Sequence, residues 1–237
     1  MKIKLACRGC QEERFKSIDL TDGIYYRFEC ENGHKNNIIL QEWKFEILFE
    51  MALMALKDGY TREAVSSFAA SLERFYEYII EVIAIRNEID SHQFTDTWKL
   101  MSTQSERQLG AFYTAYLLHF KESPMPLHKR NTEFRNKVIH KGYIPTTEEV
   151  TDYGREVFKY ILQVLKKIDL HEYMPAILKM TQKTREALNI DYSYGTICIV
   201  PVPVGLKHHS KHLLENLDFD ELLKSRKEFE VMKGSFE

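Results

Sequence analysis

Over the first forty positions the apolar residues come in short alternating runs, and beyond them the period changes. Ile3 to Ala6, Gly23 to Glu29 with Ile24, Tyr26 and Phe28 alternating, and Ile38 to Leu40 read as short strands between polar turns. From Glu42 apolar residues recur every three or four positions. Phe45, Leu48, Phe49, Ala52, Leu53 and Leu56 predict a first helix, closed by Gly59 as a C-cap. Thr61 is placed as the N-cap of a long second helix, carried by Val65, Phe68, Leu72, Phe75, Ile79 and Val82 to about Glu88. Ser105-x-x-Gln108 has the form of a capping box. It opens a third helix through Leu109, Phe112, Tyr116, Leu117 and Phe120, which Ser123-Pro124-Met125-Pro126 stops.

A fourth helix is expected from about His128 to His140, with Gly142 just beyond it. Thr146-x-x-Glu149 is a further capping box and starts a fifth, along Val150, Tyr153, Val157, Ile161, Val164 and Ile168. After Pro175 the pattern weakens. One helix near Ile177–Leu188, a strand at Thr196–Val204 interrupted by Pro201 and Pro203, and a charged helix near Glu215–Met232 are the readings there. No internal repeat or low-complexity segment stands out.

At 237 residues, with 44% hydrophobic and 29% charged positions and only 10 Gly and 6 Pro, the chain can bury a real core and is neither fibrous nor disordered. Lys and Arg number 33 against 35 Asp and Glu, a formal charge of −2, so any nucleic-acid contact has to be local. The opening Met-Lys-Ile-Lys-Leu-Ala-Cys holds no secretory apolar run, and no stretch approaches the ~18 apolar residues of a membrane span. A cytoplasmic protein without a membrane partner is the expectation. In that compartment cysteines serve as ligands or core residues rather than disulfide partners, and three of the four lie within the first 30 positions.

Cys7-x-x-Cys10 and Cys30-x-x-x-His34 form two short-spaced pairs on either side of a predicted hairpin. Zinc takes four soft or borderline donors in a tetrahedron, and two such knuckles deliver them with little strain. Gly9 and Gly33 sit inside the pairs, where the backbone must turn sharply. The segment resembles a zinc ribbon. Four protein ligands leave no open coordination position, so the expected zinc is structural, and so short a segment with few apolar residues needs a metal or an attached domain to fold.

Phe134-Arg135-Asn136-Lys137-Val138-Ile139-His140-Lys141-Gly142-Tyr143-Ile144-Pro145 carries an Arg, a following polar residue and a His five positions after the Arg. Together with Gly59-Tyr60-Thr61-Arg62-Glu63-Ala64 opening a long helix that contains Ser71-Leu72-Glu73-Arg74, this segment resembles the HEPN family over roughly residues 42–169. The fold class expected is mainly α: a HEPN-like helical bundle in residues 41–170, preceded by a small β zinc ribbon in 1–40 and followed by a mixed extension of uncertain fold in 171–237.

On a helix Asn136 and His140 lie about 40° apart, whereas Arg135 and His140 lie about 140° apart. A long Arg side chain and a His in the last helical turn can still converge on one phosphate. An imidazole titrates near pH 7 and moves protons, and a fixed guanidinium stabilises a phosphorane; His140 and Arg135 fit those roles, with Asn136 orienting either. The resemblance implies metal-independent RNA cleavage by 2′-OH attack, giving 2′,3′-cyclic phosphate and 5′-OH ends. DNA, lacking that hydroxyl, resists. It also implies a homodimer through the helical domain with facing motifs, which supplies a second His140, and a defence or toxin role. Some family members hold an acid on the second helix near the motif; Glu73, off the apolar stripe of Phe68, Leu72, Phe75 and Ile79, is the candidate, beside the reading of a solvated glutamate.

Two other functions fit the same residues: a noncatalytic HEPN-like module that binds nucleic acid or protein, and an antitoxin or accessory subunit regulating an enzyme encoded elsewhere, the ribbon acting as recruiter; a regulatory protein is a further candidate partner. His208-His209-x-x-His212 has helical i, i+4 spacing without a motif-like acid and reads as a polar loop or RNA-facing patch. Cys198 reads as a buried strand cysteine, and Trp43 and Trp98 as packing residues.

Overall fold

The computed structural model describes residues 2–12, 14–168, 170–200, 216–225 and 230–231. Four strands come first: β1 (Lys2–Ala6), β2 (Phe15–Asp19), β3 (Tyr25–Glu29) and β4 (Lys35–Leu40). They form two antiparallel hairpins, Leu5 facing Lys16 in one and Phe28 facing Asn36 in the other. Ile3, Leu5, Tyr26, Phe28, Ile38 and Leu40 are buried in a small core of their own. β2 was not foreseen, because its outward-facing residues leave no alternating apolar signal.

Helices α1 (Lys44–Lys57), α2 (Thr61–Arg86), α3 (Ser91–Lys99), α4 (Ser105–Phe120), α5 (Lys129–Lys141), α6 (Thr147–Leu165) and α7 (Leu170–Glu186) follow. The fold is mainly helical, a bundle preceded by a small β part, as expected. α2 is the spine: at 26 residues it runs to about 39 Å and meets α1, α4, α5, α6 and α7. Phe45, Phe49, Phe68, Phe75 and Phe112 are fully buried around it, and the Ser71 hydroxyl donates to the Phe45 carbonyl at 2.7 Å. α6 runs parallel to α2, with Tyr153 against Phe68 and Tyr160 against Tyr76. Gly154 permits the close approach: a Cβ there would stand 2.7 Å from the Phe68 ring.

Two cap assignments fall one residue late. Tyr60, not Thr61, is the N-cap of α2, and Gln104, not Ser105, that of α4, neither with a side-chain cap bond. The expected box partner Gln108 is buried instead and donates to the Ser102 carbonyl at 2.6 Å while accepting from Arg74 at 2.9 Å. The box at Thr146 and Glu149 is present, and Gly142 closes α5 with φ 69°. α3, unforeseen, carries only Phe94 and Trp98 as large apolar residues, stacked at 6.3 Å.

α7 starts well before the expected helix and passes through Pro175. Burial of Tyr173, Ala176 and Met180 outweighs the ~3 kcal/mol a helical proline costs. The chain then returns to its beginning. β5 (Thr196–Val200) pairs parallel with β4, and β6 (Glu230–Val231) pairs parallel with β1, giving sheet orders β3-β4-β5 and β2-β1-β6. Between them α8 (Phe219–Ser225) puts Phe219 among Phe49, Phe68 and Phe158. Of the charged helix expected over 215–232, the described residues show helix at Phe219–Ser225 and strand at Glu230–Val231. Pro201, Pro203, His208, His209 and His212 lie outside the described residues. Cys198 stands in β5 opposite Ile38. No helix among the described residues is long and apolar enough to cross a membrane.

Candidate functional site

The turn after β1 carries Cys7 and Cys10, and the turn of the β3–β4 hairpin carries Cys30 and His34. Each turn is held by its own backbone: the Cys7 N–H donates to the Arg14 carbonyl at 2.8 Å, and the Cys30 N–H to the His34 carbonyl at 3.0 Å. Gly33 has φ +79°, a conformation other residues rarely adopt. Gly9 is required for a different reason, since a Cβ there would lie 2.6 Å from His34 Cγ. The two hairpins thus close on one point.

All four ligand atoms lie within 4.8 Å of one another. Cys10 Sγ is 3.8 Å from Cys30 Sγ, and His34 Nδ1 is 3.4 Å from Cys10 Sγ and 3.5 Å from Cys30 Sγ. A tetrahedral ion with Zn–S near 2.3 Å and Zn–N near 2.0–2.1 Å calls for about 3.8 Å between sulfurs and about 3.5 Å between sulfur and nitrogen. The donor set and its spacing therefore fit a metal ion such as zinc.

Two asparagines complete the surroundings. Asn36, fully buried, donates from Nδ2 to Cys7 Sγ at 3.4 Å and to the His34 carbonyl at 2.9 Å, and its Oδ1 accepts from the Arg8 N–H at 2.9 Å. Asn32 Nδ2 donates to Cys10 Sγ at 3.5 Å. Burial opposes ionisation of Cys7. The bonds from Asn36, the Gly9 N–H, Cys30 and Cys10 outweigh it, bringing that thiol from 9.0 down to about 6. Cys10 moves the other way, raised by burial and by Cys7 and Cys30 beside it. Sequence reasoning passed over both asparagines; for Asn36 the signal was Asn36-Asn37, two amides leading into an otherwise apolar strand.

The second place lies on α5. Arg135 reaches across to α2, where Nη2 meets Glu73 Oε1 at 2.5 Å, while Nη1 donates to Asn136 Oδ1 at 2.9 Å. Both members of the ion pair are mostly covered, with side chains 20% and 28% exposed. Glu73 is thus neither core nor simply solvated. Tyr153 lies behind the pair: burial raises its hydroxyl, Arg135 works against that and Glu73 adds to it. The structure brings Arg135, Asn136 and Glu73 together.

It leaves His140 apart. That side chain is exposed in the last turn of α5, and no hydrogen bond or ion pair joins it to another described residue. α5 itself is strongly basic. Lys129, Arg130, Arg135, Lys137 and Lys141 stand against the single acid Glu133, a local excess of positive charge in a near-neutral chain. Lys137 lies over the Tyr143 ring at 3.3 Å, and the Tyr143 hydroxyl donates to Glu149 at 3.0 Å, fixing the loop that follows. Trp43 and Trp98 pack, the first against Tyr78 at 5.3 Å. No protein-family model, no curated protein and no solved structure matches this chain significantly.

Proposed function

We propose that this chain is a metal-independent RNA endonuclease of the defence or toxin type, with a structural zinc held by Cys7, Cys10, Cys30 and His34 and RNA cut at Arg135, Asn136 and His140. One observation carries the reading: a guanidinium already positioned by Glu73 and Asn136 shares a basic helix with an exposed histidine that has no hydrogen bond or ion pair to another described residue. When bound, the zinc ties the two hairpin turns together; it takes no part in the reaction, because all four positions are filled by protein.

In the proposed reaction the ribose 2′-oxygen attacks phosphorus as its proton passes to His140. The bond to the 5′-oxygen breaks, that oxygen takes a proton, and Arg135 stabilises the charge on the phosphorane between the two steps. Glu73 keeps the guanidinium in place. A second His140, from the second chain of a homodimer, supplies the leaving-group proton.

The test uses end-labelled single-stranded RNA with chelator present, beside the same RNA carrying a 2′-deoxy residue at the cut position. Cyclic phosphate ends and a resistant deoxy position are expected; cutting of the deoxy position, or a strict need for added Mg²⁺, rejects the reading. One observation favours a noncatalytic HEPN-like RNA-binding module instead: the Arg135 charge is already matched by Glu73. RNA retained without any product selects that alternative.

A further inference from the structure

Where the β hairpins meet the bundle, the chain encloses a half-open cavity of about 470 Å³. Its walls come from the turn between β2 and β3, the end of β4 with the start of α1, the middle of α2, and the last turns of α7. The volume is that of small-molecule sites, which run from about 300 to 1,000 Å³. It shares no residue with the metal cluster or with α5, and on α2 its lining begins at Arg74, next to Glu73.

The lining has two chemical parts. Ile24, Trp43, Leu48, Tyr78 and Met180 give an apolar surface with two aromatic rings, their centroids 5.3 Å apart and tilted at 45°. Such a wall favours a flat apolar body. Around it stand charged groups, and most are already satisfied within the protein. Lys44 is paired with Asp22, Arg74 with Glu77 and with Gln108 at 2.9 Å, and Glu81 accepts from Lys183 at 2.9 Å.

Arg185 differs. It is half-buried at the α7 wall, and its guanidinium makes no ion pair or hydrogen bond with another described residue. A guanidinium presents a planar fork of donors suited to a carboxylate or sulfonate. We infer that this cavity binds a small aromatic acid, its ring against Trp43 and Tyr78 and its anionic group on Arg185. Such a ligand touches the β2–β3 turn, α1, α2 and α7 at once, so its binding stabilises the joint between ribbon and bundle by mass action.

The probe is 8-anilinonaphthalene-1-sulfonate, titrated by fluorescence into the full metal-loaded chain, with indole-3-acetate and its neutral amide as competitors. Expected is one saturable site per chain from which the acid displaces the probe at least about tenfold more effectively than the amide, as loss of a charge-assisted contact implies. Arg185→Glu weakens probe binding by about tenfold or more, and Thr181→Trp, which fills the cavity from α7, removes it. Both variants keep the melting temperature of the ligand-free parent. Unsaturable binding, equal displacement by acid and amide, or affinity unchanged in Arg185→Glu overturns the inference. Should Thr181→Trp fail to fold, the Arg185 variant and the acid–amide pair decide it.

Discussion

The metal cluster and the α5 motif are built in opposite ways. In the ribbon, each ligand pair is set within one short turn, and strand pairing brings the two turns together, so all four atoms meet within 4.8 Å. On α5, Arg135 and His140 are five residues apart on one helix and face different ways. The arginine finds its partner, Glu73, 62 residues away on α2, and the histidine finds none among the described residues. One site is closed on itself; the other is half a site, which in the proposal an RNA and a second chain complete.

The largest expected effect attacks the closed site. Cys7→Ser with Cys30→Ser removes two of four donors, and structural zinc in small modules carries about 10–16 kcal/mol of binding energy. Elemental analysis should show no zinc, and the hairpins should lose protection from proteolysis while the helical circular dichroism persists, since the bundle has a separate core. About one zinc still held per chain breaks the assignment of these ligands.

Asn36→Ala comes next. It removes the amide donor to Cys7 Sγ, the second donor to the His34 carbonyl and the acceptor of the Arg8 N–H. Zinc affinity, measured by chelator competition, should fall about 10–100-fold.

Glu73→Gln is smaller. It deprives a mostly covered guanidinium of its carboxylate, and the urea midpoint should drop by the equivalent of about 1–2 kcal/mol. An unchanged midpoint makes the pair ornamental and removes the difference drawn between the two sites.

The smallest concerns Glu149, whose carboxyl is held below its ordinary 4.5 by the Thr146 N–H, with burial opposing and the Tyr143 hydroxyl assisting. A folded-state value below the unfolded one means that its stabilisation is complete above the ordinary carboxylate range and is lost as pH falls through the folded value. Glu149→Gln should therefore lower the melting temperature at pH 7 and leave it near the parent's in strong acid.

The same contrast explains what could be read along the chain. Ligand spacing in Cys7-x-x-Cys10 and Cys30-x-x-x-His34 is a local property, as are the Thr146 box and the Gly142 C-cap, and all are found in place. Caps at Thr61 and Ser105 were misplaced because the residue before each, Tyr60 and Gln104, takes that role without a side-chain bond. β5 and β6 gain their partners from the first forty residues, across more than 150 positions, and no local pattern encodes that. The ion pair of Glu73 with Arg135 is of this long-range kind, and so is the cavity, whose lining is drawn from four separate stretches.

The most direct test compares RNA cleavage by the parent chain and His140→Ala, both zinc-loaded, with no divalent metal added. The account predicts a loss of about 10²–10⁴-fold with zinc content and melting temperature unchanged, as removal of a general acid–base from an exposed position should give. Cleavage by His140→Ala at the parent rate contradicts it.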